Sequence, residues 1–253
     1  VNLGFNPNPR VSRAGKRVQR PACLEMRLTR KPGKGRGHGT RALWLPLDRV
    51  FKLSGRQAKE TWWWLPPVVW PGEEQALERS VKEVLSRGGR KFVLNMIWQK
   101  PLFKGGRGLE LWAGPFCNLS NGAALESVKS QGFSGALVSP ELGQEDLLSL
   151  PGSTGLVLGL VIKGNWPLCV SRTVSPDLGL NTLFASPMGE KSWVSRRDGS
   201  FWVFPDWELD LTSKQRELEA AGFQTFVIME EPVPKGVVMK KRPGLWNWKM
   251  SVL

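Results

Sequence analysis

Eight short apolar segments, most of them continuous rather than alternating, constrain the fold of this chain more than any other feature. They are Cys23–Thr29, Ala42–Leu47, Thr61–Trp70, Lys91–Met96, Leu109–Gly114, Gly135–Ser139, Leu156–Ile162 and Gln224–Met229. Continuous apolar runs are typical of parallel β-strands that are covered on both faces, whereas half-exposed strands alternate. The segments therefore predict a parallel sheet.

Helical patterns lie between several of these strands. Residues 73–87 carry Leu77, Val81 and Val84 at helical spacing, and two glycines follow. Similar patterns predict helices over 121–131, 144–150 and 213–221. Alternating strands and helices imply right-handed crossovers, and eight such strands in 253 residues match an α/β fold of the TIM-like (β/α)8 barrel class. An open, doubly wound sheet is the alternative.

The alternation is interrupted twice. Residues 30–39 are rich in glycine and basic residues and do not predict a helix, so we expect the first helix of the barrel to be missing. Residues 163–211 are too long for a simple crossover and contain apolar runs at 200–204 and 207–211. They predict a small β-containing insertion between strands seven and eight, lying over the barrel mouth. We expect residues 1–22 to be a basic, flexible N-terminal segment and residues 23–253 to be one barrel domain.

A missing helix would leave apolar strand surface uncovered, and the chain begins at Val1 rather than at a methionine. Both features suggest a fragment of a longer parent chain, whose other domain is then an expected partner.

The net charge of +14 is concentrated near the N-terminus. Between Arg10 and Arg41 there are eleven Lys or Arg residues and one acid, which gives 11 − 1 = +10. Such a segment attracts polyanions without sequence preference. The candidate RNA-binding residues are Arg10, Arg13, Lys16, Arg17, Lys31, Lys34 and Arg36. A solvated linker is the alternative interpretation.

Several classes of protein and site do not fit the sequence. The three cysteines, Cys23, Cys117 and Cys169, are far apart, which argues against a disulfide scaffold and indicates a reducing, cytoplasmic location. They do not predict a metal site, and nothing in the sequence predicts a cofactor. The apolar run at 155–162 is much shorter than the ~20 residues of a membrane span. The single histidine, His38, lies in a glycine-rich stretch and does not favour a Ser-His-Asp site.

In α/β barrels the functional residues follow the carboxyl ends of the strands. Three such positions, Glu141, Lys163 and Glu231, follow strands six, seven and eight and are the candidate catalytic residues. A carboxylate beside a lysine is suited to general acid–base chemistry. The candidate substrate-binding residues are Asn95, Asn118, Asn121 and Trp166, and Asp48 and Glu230 lie at comparable strand ends. A solvated ring of polar residues around the barrel mouth is the alternative.

The run GPFCNLSNGAALESVKSQGFSGALVSPELGQEDL resembles the collagenase-like peptidases of unassigned mechanism, peptidase family U-32. In that family an Asn-rich turn and a helix precede a strand that ends in Ser-Pro-Glu-Leu, here Ser139–Leu142. The closing run VIMEEPVPKGVVMKKRPGLWNW is similar to the last strand and tail of one subgroup.

The chain departs from the family pattern after strand seven. The family has a His-Gly pair followed by cysteines there, whereas this chain has Lys163-Gly164 and only Cys169 nearby. Because four thiolates normally hold an iron–sulfur cluster, this chain is interpreted as a degenerate member without one.

The resemblance implies a peptide hydrolase or a substrate-binding barrel with a degenerate active site. As a hydrolase, it would use Glu141 as general base with Lys163 or Glu231 as partner. The alternative is an RNA-binding or RNA-modification accessory domain without catalysis, and the residues leave the choice open.

Overall fold

Eight parallel strands form a closed ring in the computed structural model, which describes residues 23–31, 39–45, 53–242, 245 and 247–249. The strands are β1 (Leu24–Thr29), β2 (Thr40–Trp44), β3 (Trp62–Trp64), β4 (Lys91–Leu94), β5 (Glu110–Ala113), β6 (Gly135–Leu137), β7 (Val157–Gly164) and β13 (Thr225–Met229). Each strand from β1 to β7 pairs with the next in parallel, and β13 pairs with both β7 and β1. The predicted TIM-like barrel is confirmed, and the open-sheet alternative is wrong because the ring closes.

Helices cover much of the outside of this ring. They are α1 (Gly55–Glu60), α2 (Glu74–Ser86), α3 (Gly122–Ser130), α4 (Gln144–Ser149) and α5 (Gln215–Ala221), with short 3-10 segments at Ile97–Phe103, Pro115–Cys117, Leu150–Ser153 and Thr212–Lys214. The predicted helices at 73–87, 121–131, 144–150 and 213–221 are present. Helix α1 was not predicted, because six residues carry no apolar stripe, although Ser54 and Gln57 form a capping box at its start.

The first crossover, where we expected no helix, includes residues 32–38, which lie outside the described residues. The outer face of β1 nearby is charged rather than apolar. Glu25 and Arg27 point outward and form an ion pair at 3.0 Å, and Arg27 also pairs with Glu230 at 2.8 Å. Such a face can contact water directly, so β1 does not present the uncovered apolar surface that we expected.

The barrel interior is filled largely by tryptophan. Trp44, Trp62, Trp64 and Trp112 are at most 3% exposed and pack with Met26, Val93, Leu137 and Val227 in a cluster without helical residues. Side chains alternate across a strand. Trp63 therefore points outward, where its indole nitrogen donates to the Ala58 carbonyl oxygen at 3.1 Å. The tryptophan-rich composition thus corresponds to a packed barrel interior.

The predicted insertion contains an antiparallel sheet in the order β8-β11-β10-β9. Its strands are β8 (Cys169–Ser171), β9 (Leu183–Ala185), β10 (Lys191–Arg197) and β11 (Ser200–Pro205). Asp198 and Gly199 connect β10 to β11 with φ of 47° and 80°, as a type I′ hairpin turn requires.

The two ends of the predicted insertion extend the barrel sheet. Lys163 is part of β7, and the two-residue strand β12 (Leu209–Asp210) pairs antiparallel with the end of β7. Within the described ranges, no helix is long and apolar enough to cross a membrane.

Candidate functional site

The barrel mouth, where α/β barrels carry their active sites, is occupied by aromatic side chains. Trp202 of β11 packs edge-on against Trp44 at the end of β2, with ring centroids 5.6 Å apart, and against Phe116 at 6.1 Å. Phe116 in turn stacks on Trp166 at 4.7 Å. Trp166 and Trp202 are each 3% exposed. The insertion therefore covers the mouth with a packed cluster.

A buried ion-pair network, which we call the latch, fixes the insertion to the barrel. It consists of Arg30 after β1, Glu231 after β13, Arg197 of β10 and Asp198. Arg30 pairs with Glu231 at 3.0 Å and with Asp198 at 2.7 Å, and Arg197 also contacts the Glu231 carboxylate. The Glu231 side chain is 1% exposed. Its carboxylate is thus engaged by two guanidinium groups.

Aromatic rings cover the two arginines of the latch. The Arg30 guanidinium lies 4.9 Å from the Trp202 ring centre and 5.4 Å from that of Trp44, and Arg197 lies 5.1 Å from that of Phe204. Burial lowers the pKa of Arg30 to about 10. Burial, together with the charge of Arg30, lowers the pKa of Arg197 to about 9. Both cations therefore depend on Glu231 and on the rings for stabilisation.

Glu141, the predicted general base, has different neighbours. Its Oε1 accepts a hydrogen bond from the Trp166 indole nitrogen at 3.1 Å, and its carbonyl oxygen accepts one from Asn247 at 2.7 Å. The described contacts do not join Glu141 to Lys163 or to Glu231. Glu141 thus lies apart from the other two predicted catalytic residues, and the catalytic roles of all three stay predictions.

Lys163 points outward at the barrel rim, opposite Asp210 of β12, with Nζ 3.7 Å from Oδ2. Burial alone would raise the pKa of Asp210, but hydrogen bonds from Thr212 and the charge of Lys163 lower it. Burial raises the pKa of Glu208, against the opposing effect of Lys163. Lys163, Glu208 and Glu231 line one groove of about 470 Å³. Glu208, Asp210 and Glu231, rather than Glu141, are therefore the acids near Lys163.

The backbone at the end of β7 depends on glycine. Gly164 has φ of 129°, and a Cβ built there would lie 2.3 Å from the Met229 carbonyl oxygen. The neighbouring strand therefore approaches too closely for any side chain at this position.

The three predicted substrate-binding asparagines hold loops together. Asn95 is fully buried and donates from Nδ2 to the Leu65 carbonyl oxygen at 2.7 Å. Asn118 adopts the left-handed conformation with φ of 52°, and its Oδ1 accepts a hydrogen bond from Ser139 at 3.5 Å. Asn121 caps α3 by accepting from a backbone N–H at 2.9 Å. Trp166, the fourth predicted residue, is buried as described above, so substrate binding by these four residues stays a prediction.

Most of the predicted RNA-binding residues cannot be placed. Lys31 is exposed and lies two residues after the end of β1. Arg10, Arg13, Lys16, Arg17, Lys34 and Arg36 lie outside the described residues, as do His38 and Asp48.

The described residues contain no group of three or more His, Cys, Asp or Glu side chains arranged to hold a metal ion. Burial raises the pKa of the Cys117 thiol to about 12, so this sulfur is unsuited to act as a thiolate.

A groove that the sequence did not predict lies between the β3–α2 segment and the insertion; we call it the side groove. Its volume is about 440 Å³. It is lined by Pro66, Pro67, Val68, Val69, Glu73, Ala76, Leu77, Val170, Arg197, Asp198, Ser200 and Trp202. The Pro-Pro-Val-Val run after β3 was a local signal for an irregular apolar wall. The opposite wall comes from residues more than 90 positions away, which no local pattern indicates.

No protein-family model matches this chain, and no curated protein matches it. Among solved structures, the chain is similar to the U32 peptidase Mk0906, with a TM-score of 0.48 and 11% sequence identity. The match covers 91% of this chain and 100% of that chain. The barrel assignment given above rests on the strand pairing.

Proposed function

We propose that this chain is a substrate-binding barrel of the collagenase-like peptidase type with a degenerate active site. The main support for this proposal is that aromatic side chains occupy the barrel mouth. Trp202 and the latch cover the space where a substrate would meet strand-end residues, and Glu231 is held by two arginines. A hydrolase needs a free base with access to substrate and water, and an occupied mouth gives neither.

The side groove is the place where we propose that a peptide segment binds. Ligand sites are concave, mostly apolar and furnished with a few polar groups, and they occur preferentially at domain boundaries. The side groove has prolines, valines and Trp202 on its walls, three charged residues, and a position between barrel and insertion. An extended peptide would bury apolar side chains against these walls.

The first experiment measures binding and cleavage of a fluorescent peptide library by the purified chain and by the Glu141→Gln variant, with and without a chelator. We expect binding without cleavage. Ala76→Trp, which fills the side groove from an exposed position on α2, should abolish binding. Gln75→Trp places the same ring one residue away, outside the groove lining, and should bind as the original chain does. Cleavage that disappears in Glu141→Gln would instead place an active site at Glu141 and overturn the proposal.

A second candidate function is RNA binding, favoured by the charge of the C-terminal segment. Between Pro232 and Leu253 the sequence has five Lys or Arg residues and no acid. Of these, Lys235, Lys240, Lys241 and Lys249 are exposed. RNA binding through these residues and the N-terminal basic segment should weaken steeply with salt.

Removal of residues 1–22 tests the N-terminal contribution without touching β1, which begins at Leu24. We expect weaker RNA binding in this variant and in Lys240→Gln/Lys241→Gln. Unchanged RNA affinity in both would remove this candidate.

A further inference from the structure

The positive charge in the side groove is already neutralised within the protein. Arg197 is the one cation among the lining residues, and its side chain is 6% exposed. It contacts the Glu231 carboxylate and donates to the Pro232 carbonyl oxygen at 3.3 Å. A ligand in the groove therefore meets little cationic surface.

Two carboxylates of the groove retain oxygen atoms for a ligand. Glu73 precedes α2, and its Oε2 accepts from the Trp70 N–H at 3.0 Å. Across the described ranges, no Lys or Arg forms an ion pair with Glu73. Asp198 uses Oδ2 for Arg30, and its side chain remains 43% exposed. Both residues therefore offer acceptors to the groove.

The hairpin tip that carries Asp198 lies close to Glu73. A Cβ built on Gly199, next to Asp198, would lie 3.3 Å from Oε1 of Glu73, so the hairpin tip approaches this carboxylate closely. Ser200, which follows, accepts a hydrogen bond from the Trp70 indole at 3.0 Å. The groove is thus apolar along its walls and acidic at the hairpin tip.

We propose that the side groove selects peptide segments in which apolar residues flank a cationic group. This inference rests on the proposed peptide-binding function and names its substrate class. The apolar residues would pack against Val68, Val69 and Trp202, and the cation would lie between Glu73 and Asp198. A cation there forms charge-assisted hydrogen bonds with the carboxylate oxygens that Trp70 and Arg30 leave unused. A lysine, an arginine or a free amino terminus provides this chemistry.

The test compares blocked peptides, acetyl-Leu-Pro-X-Leu-amide, in which X is Lys, Arg, Gln or Glu, by fluorescence anisotropy with the full chain. We expect the Lys or Arg peptide to bind roughly three- to tenfold more tightly than the Gln peptide, since a partly exposed ion pair contributes modestly. The Glu peptide should bind most weakly. The Gln peptide with a free amino terminus distinguishes a terminal ammonium from a side-chain cation.

In the Glu73→Gln variant, the Lys peptide should bind about as tightly as the Gln peptide, because the carboxylate that favours the cation is gone. The affinity of this variant for the Gln peptide should stay unchanged. The matched control is Glu74→Gln, because Glu74 lies on the same helical turn but outside the groove lining. It should keep the original preference.

Equal binding of the Lys and Gln peptides, still blocked by Ala76→Trp, would overturn the cation preference and leave the peptide-binding proposal intact. Failure of every peptide in a broad library to bind would overturn both. A preference that persists in Glu73→Gln but disappears in Glu74→Gln would also contradict the inference.

Discussion

Replacing Glu231 by glutamine should destabilise the protein more than any other conservative change at the barrel rim. The substitution keeps the shape but removes the negative charge between Arg30 and Arg197, leaving Asp198 as the remaining carboxylate of the latch. Removing one partner of a buried ion pair costs about 3–5 kcal/mol, because the other charge stays buried without compensation. The 1% exposure of the Glu231 side chain leaves no solvent to screen this loss.

For a chain of this size, about 1 kcal/mol corresponds to a change of about 2–4 °C in Tm. We therefore expect Glu231→Gln to lower Tm by roughly 6–20 °C and to lose about 3–5 kcal/mol of unfolding free energy in urea. The matched control is Glu230→Gln, which breaks an exposed pair with Arg27 and should cost about 0–1 kcal/mol. A loss below about 1 kcal/mol in Glu231→Gln would refute the reasoning that the latch holds the insertion on the barrel.

Three further predictions concern backbone, charge and thiol chemistry. Gly164→Ala should lose several-fold more unfolding free energy in urea than Gly72→Ala. Both glycines have positive φ, but the neighbouring strand approaches Gly164 closely, whereas Gly72 has open space around it. Equal losses would contradict the close approach of the strands. Because the pKa of Asp210 is lowered, its contribution should be present above its unfolded pKa of about 3.9 and lost as pH falls through its folded pKa. The urea stabilities of the original chain and of Asp210→Asn should therefore differ at pH 6 and converge as the pH falls below about 3.9; a constant difference would contradict this. Iodoacetamide at pH 8 should label exposed Cys169 faster than half-buried Cys117, whose pKa is raised to about 12, as peptide mass mapping can show. Equally rapid labelling of Cys117 would contradict this prediction.

The barrel could be predicted from the sequence because its signals are local. Apolar segments, several of them continuous, marked all eight parallel strands, and the leucines and valines of α2 marked the helix that packs against them. The ends of the strands were predicted less accurately. The segment 61–70 yielded only the three-residue strand β3, since Pro66 and Pro67 cannot continue the ladder.

The candidate site could not be predicted because its contacts are distant in sequence. Arg30 and Glu231 are separated by 201 positions, and no periodicity links them. The strand that carries Trp202 was predicted, from the apolar run at 200–204, as part of a small β-containing insertion over the barrel mouth. Its particular contacts with Trp44 and Phe116 depend on tertiary packing, which no local pattern indicates. Lys163 was placed correctly at the end of β7, whereas the two-residue strand that brings Asp210 beside it is too short to leave a pattern.

The location of a bound peptide tests the central claim most directly, namely that the side groove binds substrate and the barrel mouth does not. Hydrogen–deuterium exchange of the full chain, with and without a saturating peptide selected from the library, measures this location. We expect slower exchange in segments 66–77 and 196–202, which contain most of the residues that line the side groove. Protection confined to residues 139–142 and 165–167, around Glu141 and Trp166, would contradict the claim and return the site to the barrel mouth.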